Sequence, residues 1–395
     1  MKRFFLYTLI SFFLLLLSAG QASANSNDSI RLSLLTCAPG EEIYSLFGHT
    51  AIRYENPLQG IDAVFNYGLF SFNTPNFIFR FSLGETDYQL GVTDYEHFAA
   101  EYGFYGRSVW QQTLNLTDEE KTKLIQLLQE NYRPENRVYR YNFFYDNCAT
   151  RPRDKIEESI AGKVVYPAEP QDGSRTFRDI VHQYCKGHPW ARFGIDLCIG
   201  SEADQPITQR QMMFAPFYLM DAFDGAQIKN GSIQRPLITS NKLVVDATPE
   251  PNESGWIPTP LQCSLLLFIL TAAATIYGIR RRTGLWGIDL FLFGMAGIVG
   301  CVLTFLALFS QHPAVSSNFL LLVFHPGQLL LLPYIIYCVR KGKKCWYLTL
   351  NLVVLTLFIV LFPVIPQRFD FAVVPLALVL LIRSASNLIV TSKKK

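Results

Sequence analysis

The chain has 395 residues, is 50% hydrophobic and only 17% charged, and carries a formal net charge of +3. That composition excludes a polar disordered chain, and the small positive excess, with no basic helix or aromatic-interleaved patch, excludes a DNA or RNA surface. There is no glycine-rich phosphate loop, no zinc-type pairing of His and Cys and no internal repeat, so no cofactor or metal is expected.

Residues 1–24 combine Lys2 and Arg3, an apolar run and Ala22-Ser23-Ala24. This is the pattern of a secretory signal peptide cleaved before Asn25, with an uncleaved anchor as the alternative. An exported domain follows over residues 25–247. Within it, residues 48–56 and 62–72 read as strands flanking Pro57 and Gly60, and so as an antiparallel hairpin. A turn centred between Pro57 and Leu58 sets His49 opposite Asn66, whose amide would hold one nitrogen of the imidazole; Glu55 and Asp62 are the other candidates for that role. A one-residue slip would put the two side chains on opposite faces. Residues 65–110 are rich in aromatics, among them Phe65, Tyr67, Phe79, Phe81 and Trp110. They form either ordinary core, or an acyl-chain groove or membrane-facing lip.

Thr117 and Glu120 make a capping box that opens an amphipathic helix through Tyr132, with Leu124, Leu127 and Leu128 on its buried face. Residues 138–144 then read as a strand, and residues 149–161 as a helix stopped by Gly162. Cys148 therefore falls at a strand-to-helix junction, where the helix dipole would lower its pKa from roughly 8.5 toward neutrality. A lone His or Cys is usually a satisfied core residue. A histidine on a hairpin together with a cysteine at a helix start points instead to a nucleophile and its base. The other exported cysteines are Cys37, Cys185 and Cys198; pairing of the last two would leave Cys148 free.

Residues 248–260 form a linker rich in Pro, Asn and Gly. Beyond it, a transmembrane domain over residues 261–390 reads as five spans: 261–279, 286–309, 319–339, 346–362 and 371–390, each near the ~20 residues that cross a bilayer core. A basic tail, residues 391–395, follows. Arg280 to Arg282, Arg340 to Lys344 and the final lysines fall on one side, whereas residues 310–318 carry no Lys or Arg and residues 363–370 only Arg368. The positive-inside rule makes the basic side cytoplasmic and puts the exported domain outside the inner membrane. Arg383, inside the fifth span, is expected to snorkel toward the cytoplasmic face. His325, in the run His325-Pro326-Gly327-Gln328 of the third span, and His312, in an external loop, are candidates for a lipid-entry path; a hydrogen bond steadying a Pro-kinked helix is the alternative for His325.

The order of Gly48-His49 before Asn147-Cys148 resembles the circularly permuted NlpC-like, papain-like thiol enzymes, including the lecithin:retinol acyltransferase group. The runs LLTCAPGEEIYSLFGHTAIRYEN, FNYGLFSF, NFFYDNCATRPRD, TFRD, WARFGIDLCIG and MFAPFYLMDAF are similar to the periplasmic domain of the Bacteroidota lipoprotein N-acyltransferases, the Lnb family. The resemblance implies an α+β protein: a permuted papain-like periplasmic domain followed by an all-α five-helix transmembrane domain. By position it implies Cys148 as nucleophile, His49 as base, Asn66 as orienting residue, and the Cys148 N–H with its neighbours as oxyanion hole. Arg53, Tyr67, Arg151, His312 and His325 are the candidate substrate contacts, although Arg53, Arg151 and Arg153 can equally pair with nearby carboxylates. The implied partners are a membrane phospholipid as acyl donor and a diacylated lipoprotein as acceptor. Two other classes remain open: a membrane-anchored cysteine hydrolase, acting as amidopeptidase or lipid hydrolase, and a non-catalytic assembly factor.

Overall fold

The computed structural model describes residues 29–70, 75–170, 172–248 and 256–392; the expected signal peptide, much of the linker and the last three lysines lie outside them. Among the described residues, ten strands divide between two sheets. The larger holds β1 (Arg31–Cys37), β2 (His49–Asn56), β3 (Ile61–Leu69), β4 (Asp87–Asp94), β5 (Val109–Leu114), β6 (Val138–Arg140) and β10 (Ile238–Val245), in the order β10-β5-β1-β2-β3-β4-β6 and antiparallel throughout. The smaller pairs β7 (Lys163–Val165), β8 (Gln227–Asn230) and β9 (Ile233–Pro236).

The central strands are apolar on both faces because helices cover both. β1 buries six of its seven residues, sending Leu34 and Leu35 to opposite sides. Helix α2 (Tyr95–Phe104) packs Phe98 and Tyr102 on the Leu35, Ala51 and Val64 side. Helices α3 (Asp118–Tyr132), α4 (Thr150–Ser159) and α7 (Pro216–Asp224) bring Leu124, Leu128, Ile156, Leu219 and Phe223 to the Leu34 and Ile52 side. Each such fully buried leucine contributes roughly 2 kcal/mol. The Thr117 capping box forms as the sequence implies, and Leu124 and Leu128 are buried while Leu127 is only partly so.

Two elements differ from expectation. The hairpin pairs Ala51 with Asn66 and Asn56 with Ile61, a register two residues from that predicted. The difference is even, so His49 and Asn66 keep the same face and meet diagonally. The strand expected over residues 138–144 ends at Arg140. Asn142 closes a tight turn by accepting from the N–H groups of Phe144 and Tyr145, and the Phe143 and Phe144 rings turn into a cluster with Phe177 and Phe214.

Among the described residues, four continuous helices are long and apolar enough to cross a membrane: α8 (Pro260–Arg281), α9 (Trp286–Phe309), α11 (Trp346–Leu361, continuing to Val364) and α12 (Val373–Ser392). The third expected span is broken: a 3-10 turn at Phe319–Leu322, a helical turn at Gly327–Leu330, then α10 (Leu332–Lys341). Pro326 donates no N–H, and Gly300 of α9 lets the break approach so closely that a Cβ there would clash with the His325 backbone. Gln328 Nε2 donates to the freed Val323 carbonyl at 2.8 Å. Arg383 does not snorkel. It is buried, donating to both oxygens of Asp289 (2.7 and 3.0 Å) and to Thr275 (3.0 Å), so α8, α9 and α12 share one ion pair.

The 310–318 loop and Arg368, both at the end of the apolar helices away from the basic loops, contact the N-terminal domain. Gln311 N–H donates to Leu83 O (2.9 Å), Gly200 N–H to Ala314 O (2.7 Å) and Ser201 N–H to Ser317 O (2.8 Å). Arg368 donates to Asp204 (2.9 Å), Asp179 (2.5 Å) and Thr176.

Candidate active site

Gly48 and Gly68 shape the site. Gly48 has φ +78, and a Cβ there would lie 2.6 Å from Cys37 O, so only glycine turns the chain into β2 and delivers His49 at its first position. Gly68 has φ +90, and the point its Cβ would occupy lies 3.4 Å from Cys148 Cβ, 3.9 Å from His49 Cε1 and 4.0 Å from the Tyr139 hydroxyl. Cys148, His49 and the Tyr139 hydroxyl therefore border one small space left by a missing side chain.

His49 Nε2 lies 2.5 Å from Asn66 Oδ1. With the amide oxygen as acceptor, Nε2 carries the proton and Nδ1 is the basic nitrogen. The other expected orienting residues serve Arg53 instead. Asp62 accepts from it at 2.8 and 2.6 Å, Glu55 pairs with it at 3.4 Å, and its guanidinium lies 3.3 Å over the Tyr95 ring.

Asn147 fixes the loop that carries Cys148. Its Oδ1 accepts from Ala149 N–H (2.8 Å) and Thr150 N–H (3.0 Å), and its Nδ2 donates to Phe143 O (2.8 Å) and Phe214 O (2.9 Å). These bonds use the first free N–H groups of α4, so the helix start does not present them to sulfur. What reaches the Cys148 sulfur is its own N–H and the Thr50 N–H.

The electrostatics differ from the expected activated thiolate. Burial pushes the Cys148 thiol up from 9.0 to about 11, against the lowering effect of those two N–H groups. Burial likewise pushes His49 down from 6.5 to about 4, with the Asn66 hydrogen bond opposing it. The resting pair is a neutral thiol beside a neutral imidazole. Desolvation also raises Cys37 to about 12 and Cys185 to about 11. Geometry, not acidity, singles out Cys148. Cys185 and Cys198 are both free thiols, so of the pairings left open by the sequence this one is absent.

The remaining candidates scatter. Tyr67 is fully buried and its hydroxyl donates to Asn131 at 2.8 Å, a core role. Arg53 is held by carboxylates as above. Arg151 stays near the site, one turn beyond Cys148, paired with Asp146 (2.6 and 2.8 Å) and 3.6 Å over the Tyr139 ring. His312 Nε2 sits 3.1 Å from Phe81 O at the domain junction, and His325 Nε2 3.2 Å from the Tyr347 hydroxyl within the membrane half. Neither histidine joins Cys148. Sequence reasoning assigned no role to Gly68, Thr50 or Tyr139; an isolated glycine inside a strand pattern was the one available signal, since it marks a close approach.

A row of rings leads away from the thiol. Tyr88 and Tyr141, whose hydroxyls are pushed up first by burial and then by the neighbouring Cys148, stack at 4.1 Å. Phe70 continues the row at 5.0 Å from Tyr88, and Phe77 at 5.4 Å from Phe70. Phe77 opens α1 (Phe77–Leu83), a helix with no buried residue, whose Phe79 packs 5.5 Å from Phe305 of α9. Of the two readings of the aromatics, Phe65 and Tyr67 are core, whereas α1 is an exposed apolar edge against the membrane half.

The family model of the Lnb N-terminal periplasmic domain matches residues 20–182, and that of the Lnb transmembrane domain matches residues 252–395. No curated protein and no solved structure matches the chain.

Proposed function

The chain belongs to the Lnb family, and from that premise we propose that it is a lipoprotein N-acyltransferase of the inner membrane, working through a Cys148 thioester. The observation that carries the reading is the meeting of Cys148 and His49 around Gly68, at the end of an aromatic row that reaches the membrane half. A phospholipid ester is the proposed donor, and the α-amine of a lipid-modified N-terminal cysteine the acceptor.

The neutral pair sets the order of events. As sulfur attacks the ester carbonyl, the thiol proton passes to His49 Nδ1, so charge separation develops only in the transition state. Collapse re-forms the carbonyl, breaks the bond to the lysophospholipid oxygen and returns the proton to it. The amine then attacks the thioester, His49 takes its proton, and Cys148 leaves as thiol with an amide as product. A buried, water-poor site favours the amine over hydrolysis. The α1 edge and the ring row suit an acyl chain sliding from the outer leaflet to Cys148.

Incubation of the full-length protein with phospholipid alone tests this. The expected result is an acyl group on Cys148, cleavable by neutral hydroxylamine, with little free fatty acid. A diacylated lipopeptide with a free amine should discharge it, and an N-acetylated one should not. Release of fatty acid at the rate of lysophospholipid formation, without acceptor, would identify a hydrolase instead.

A further inference from the structure

Acyl transfer builds negative charge on the carbonyl oxygen, and an enzyme stabilises it with donors fixed in advance. The site has fewer backbone donors than its helix start suggests, because Ala149 and Thr150 N–H are committed to Asn147 Oδ1. Of the buried hydroxyls without a partner among the described residues, that of Tyr139 borders the space beside Gly68. The Tyr139 hydroxyl is buried and makes no hydrogen bond, although Tyr139 is 94% covered. A buried, unsatisfied hydroxyl costs stability, and one that persists in a native fold calls for a binding or catalytic reason.

The position of that hydroxyl says what binds. It lies on the same small space beside Gly68 that Cys148 and His49 border. Its ring is held from both sides of the chain: β6 pairs Tyr139 with Tyr88, and the Arg151 guanidinium, fixed by Asp146, covers its face at 3.6 Å. We propose that Tyr139 is a catalytic residue, whose hydroxyl donates a hydrogen bond to the acyl oxygen as Cys148 attacks, completing an oxyanion hole with the Cys148 N–H. The inference rests on Cys148 being the acyl-accepting nucleophile. No proton is transferred by Tyr139: the C–S bond forms, the carbonyl π electrons move to oxygen, the thiol proton goes to His49, and the phenol only shares its hydrogen with the oxyanion. Burial keeps the phenol protonated at neutral pH. Arg151 becomes a positioning residue that steadies the ring.

Tyr139→Phe in the full-length protein tests the role with two reagents. p-Nitrophenyl butyrate acylates Cys148 through a tetrahedral oxyanion, whereas iodoacetamide alkylates the same sulfur by direct displacement with no oxyanion. Acylation should fall about 10²–10³-fold in kcat with KM little changed, the usual loss on removing one such donor. Alkylation should stay at the wild-type rate. Acylation at the wild-type rate in the variant would overturn the proposal. So would a parallel loss of both reactions, which would mean that the phenol merely holds Cys148 in place. If the wild-type protein accepts butyrate on Cys148 but passes no acyl group to a lipopeptide, the transferase reading falls and the Tyr139 role stands. If wild-type Cys148 is not acylated at all, both fall.

Discussion

The neutral Cys148–His49 pair makes a sharp prediction about thiol reactivity. With a pKa of about 11, Cys148 is ionised to roughly one part in 10⁴ at pH 7 in the free protein. Its alkylation by iodoacetamide, followed by peptide mass spectrometry so that Cys37, Cys185 and Cys198 are scored separately, should rise about tenfold per pH unit from pH 7 to pH 10. His49→Ala should change that profile little, since a neutral imidazole does not hold a thiolate in place. Acylation should behave differently. His49 is neutral above about 4, so acylation should be nearly flat from pH 5 to pH 9 and fall only as acid protonates the base. His49→Ala should lower it about 10²–10⁴-fold. Fast alkylation that is flat across pH 5 to 9 would refute the argument, because it is the signature of a preformed thiolate–imidazolium pair.

Other substitutions probe the scaffold. Asn66→Ala removes the bond that fixes the His49 tautomer; it should slow acylation about tenfold and lower the unfolding free energy by only roughly 0.5–1.5 kcal/mol, the worth of one hydrogen bond. Gly68→Ala forces a side chain to φ +90 and fills the shared space; a cost of about 1–2 kcal/mol in thermal unfolding and loss of acylation are expected. Asp289→Ala strands Arg383 as a buried charge and should cost about 3–5 kcal/mol, seen as lost membrane yield, whereas Asp289→Leu with Arg383→Met should recover it.

The sequence disclosed what depends on local pattern. Periodicity and capping located α3, the hairpin strands and most of the apolar spans, and the order of histidine and cysteine picked out two side chains that meet around Gly68. What it concealed depends on tertiary context. The alternation of residues 138–144 suggested a strand, but Asn142 and Asn147 bind the backbone more locally than a sheet partner would. The helix-start argument for an acidic thiol fails for two reasons that need a structure to weigh: Asn147 takes the first N–H groups of α4, and desolvation outweighs the N–H groups that do reach the sulfur. Arg383 looked like a snorkelling residue because its partner, Asp289, lies 94 residues away. Tyr139 was invisible because an unpartnered hydroxyl is a property of its surroundings.

The linker suggested a tethered domain, yet the contacts describe a docked one, and the difference matters for a lipid substrate. A tether alone would let the thiol drift by tens of ångströms, since a flexible chain of n residues spans about 5–6 Å × √n. Here the motifs TFRD and WARFGIDLCIG meet in one buried network: Arg178 donates to Asp196 (2.6 Å), Asp204 (2.9 Å) and the carbonyls of Ile199 and Gly200. Asp204 also accepts from Arg368, so the network extends into the loop before α12. On the far side, α1 is fixed to α9 through Phe79 and to the 310–318 loop through Leu83. Two separated attachments resist rotation as well as translation, so the ring row from α1 to Cys148 keeps one height above the membrane half. Arg368→Ala offers the test of that mechanical role. Its exposed pairs are worth at most about 1 kcal/mol each, so the fold should survive. Transfer from phospholipid in proteoliposomes should fall, while acylation by soluble p-nitrophenyl butyrate, which needs no membrane height, should not; an equal effect on both would assign the loop to the chemistry of the site instead of its placement.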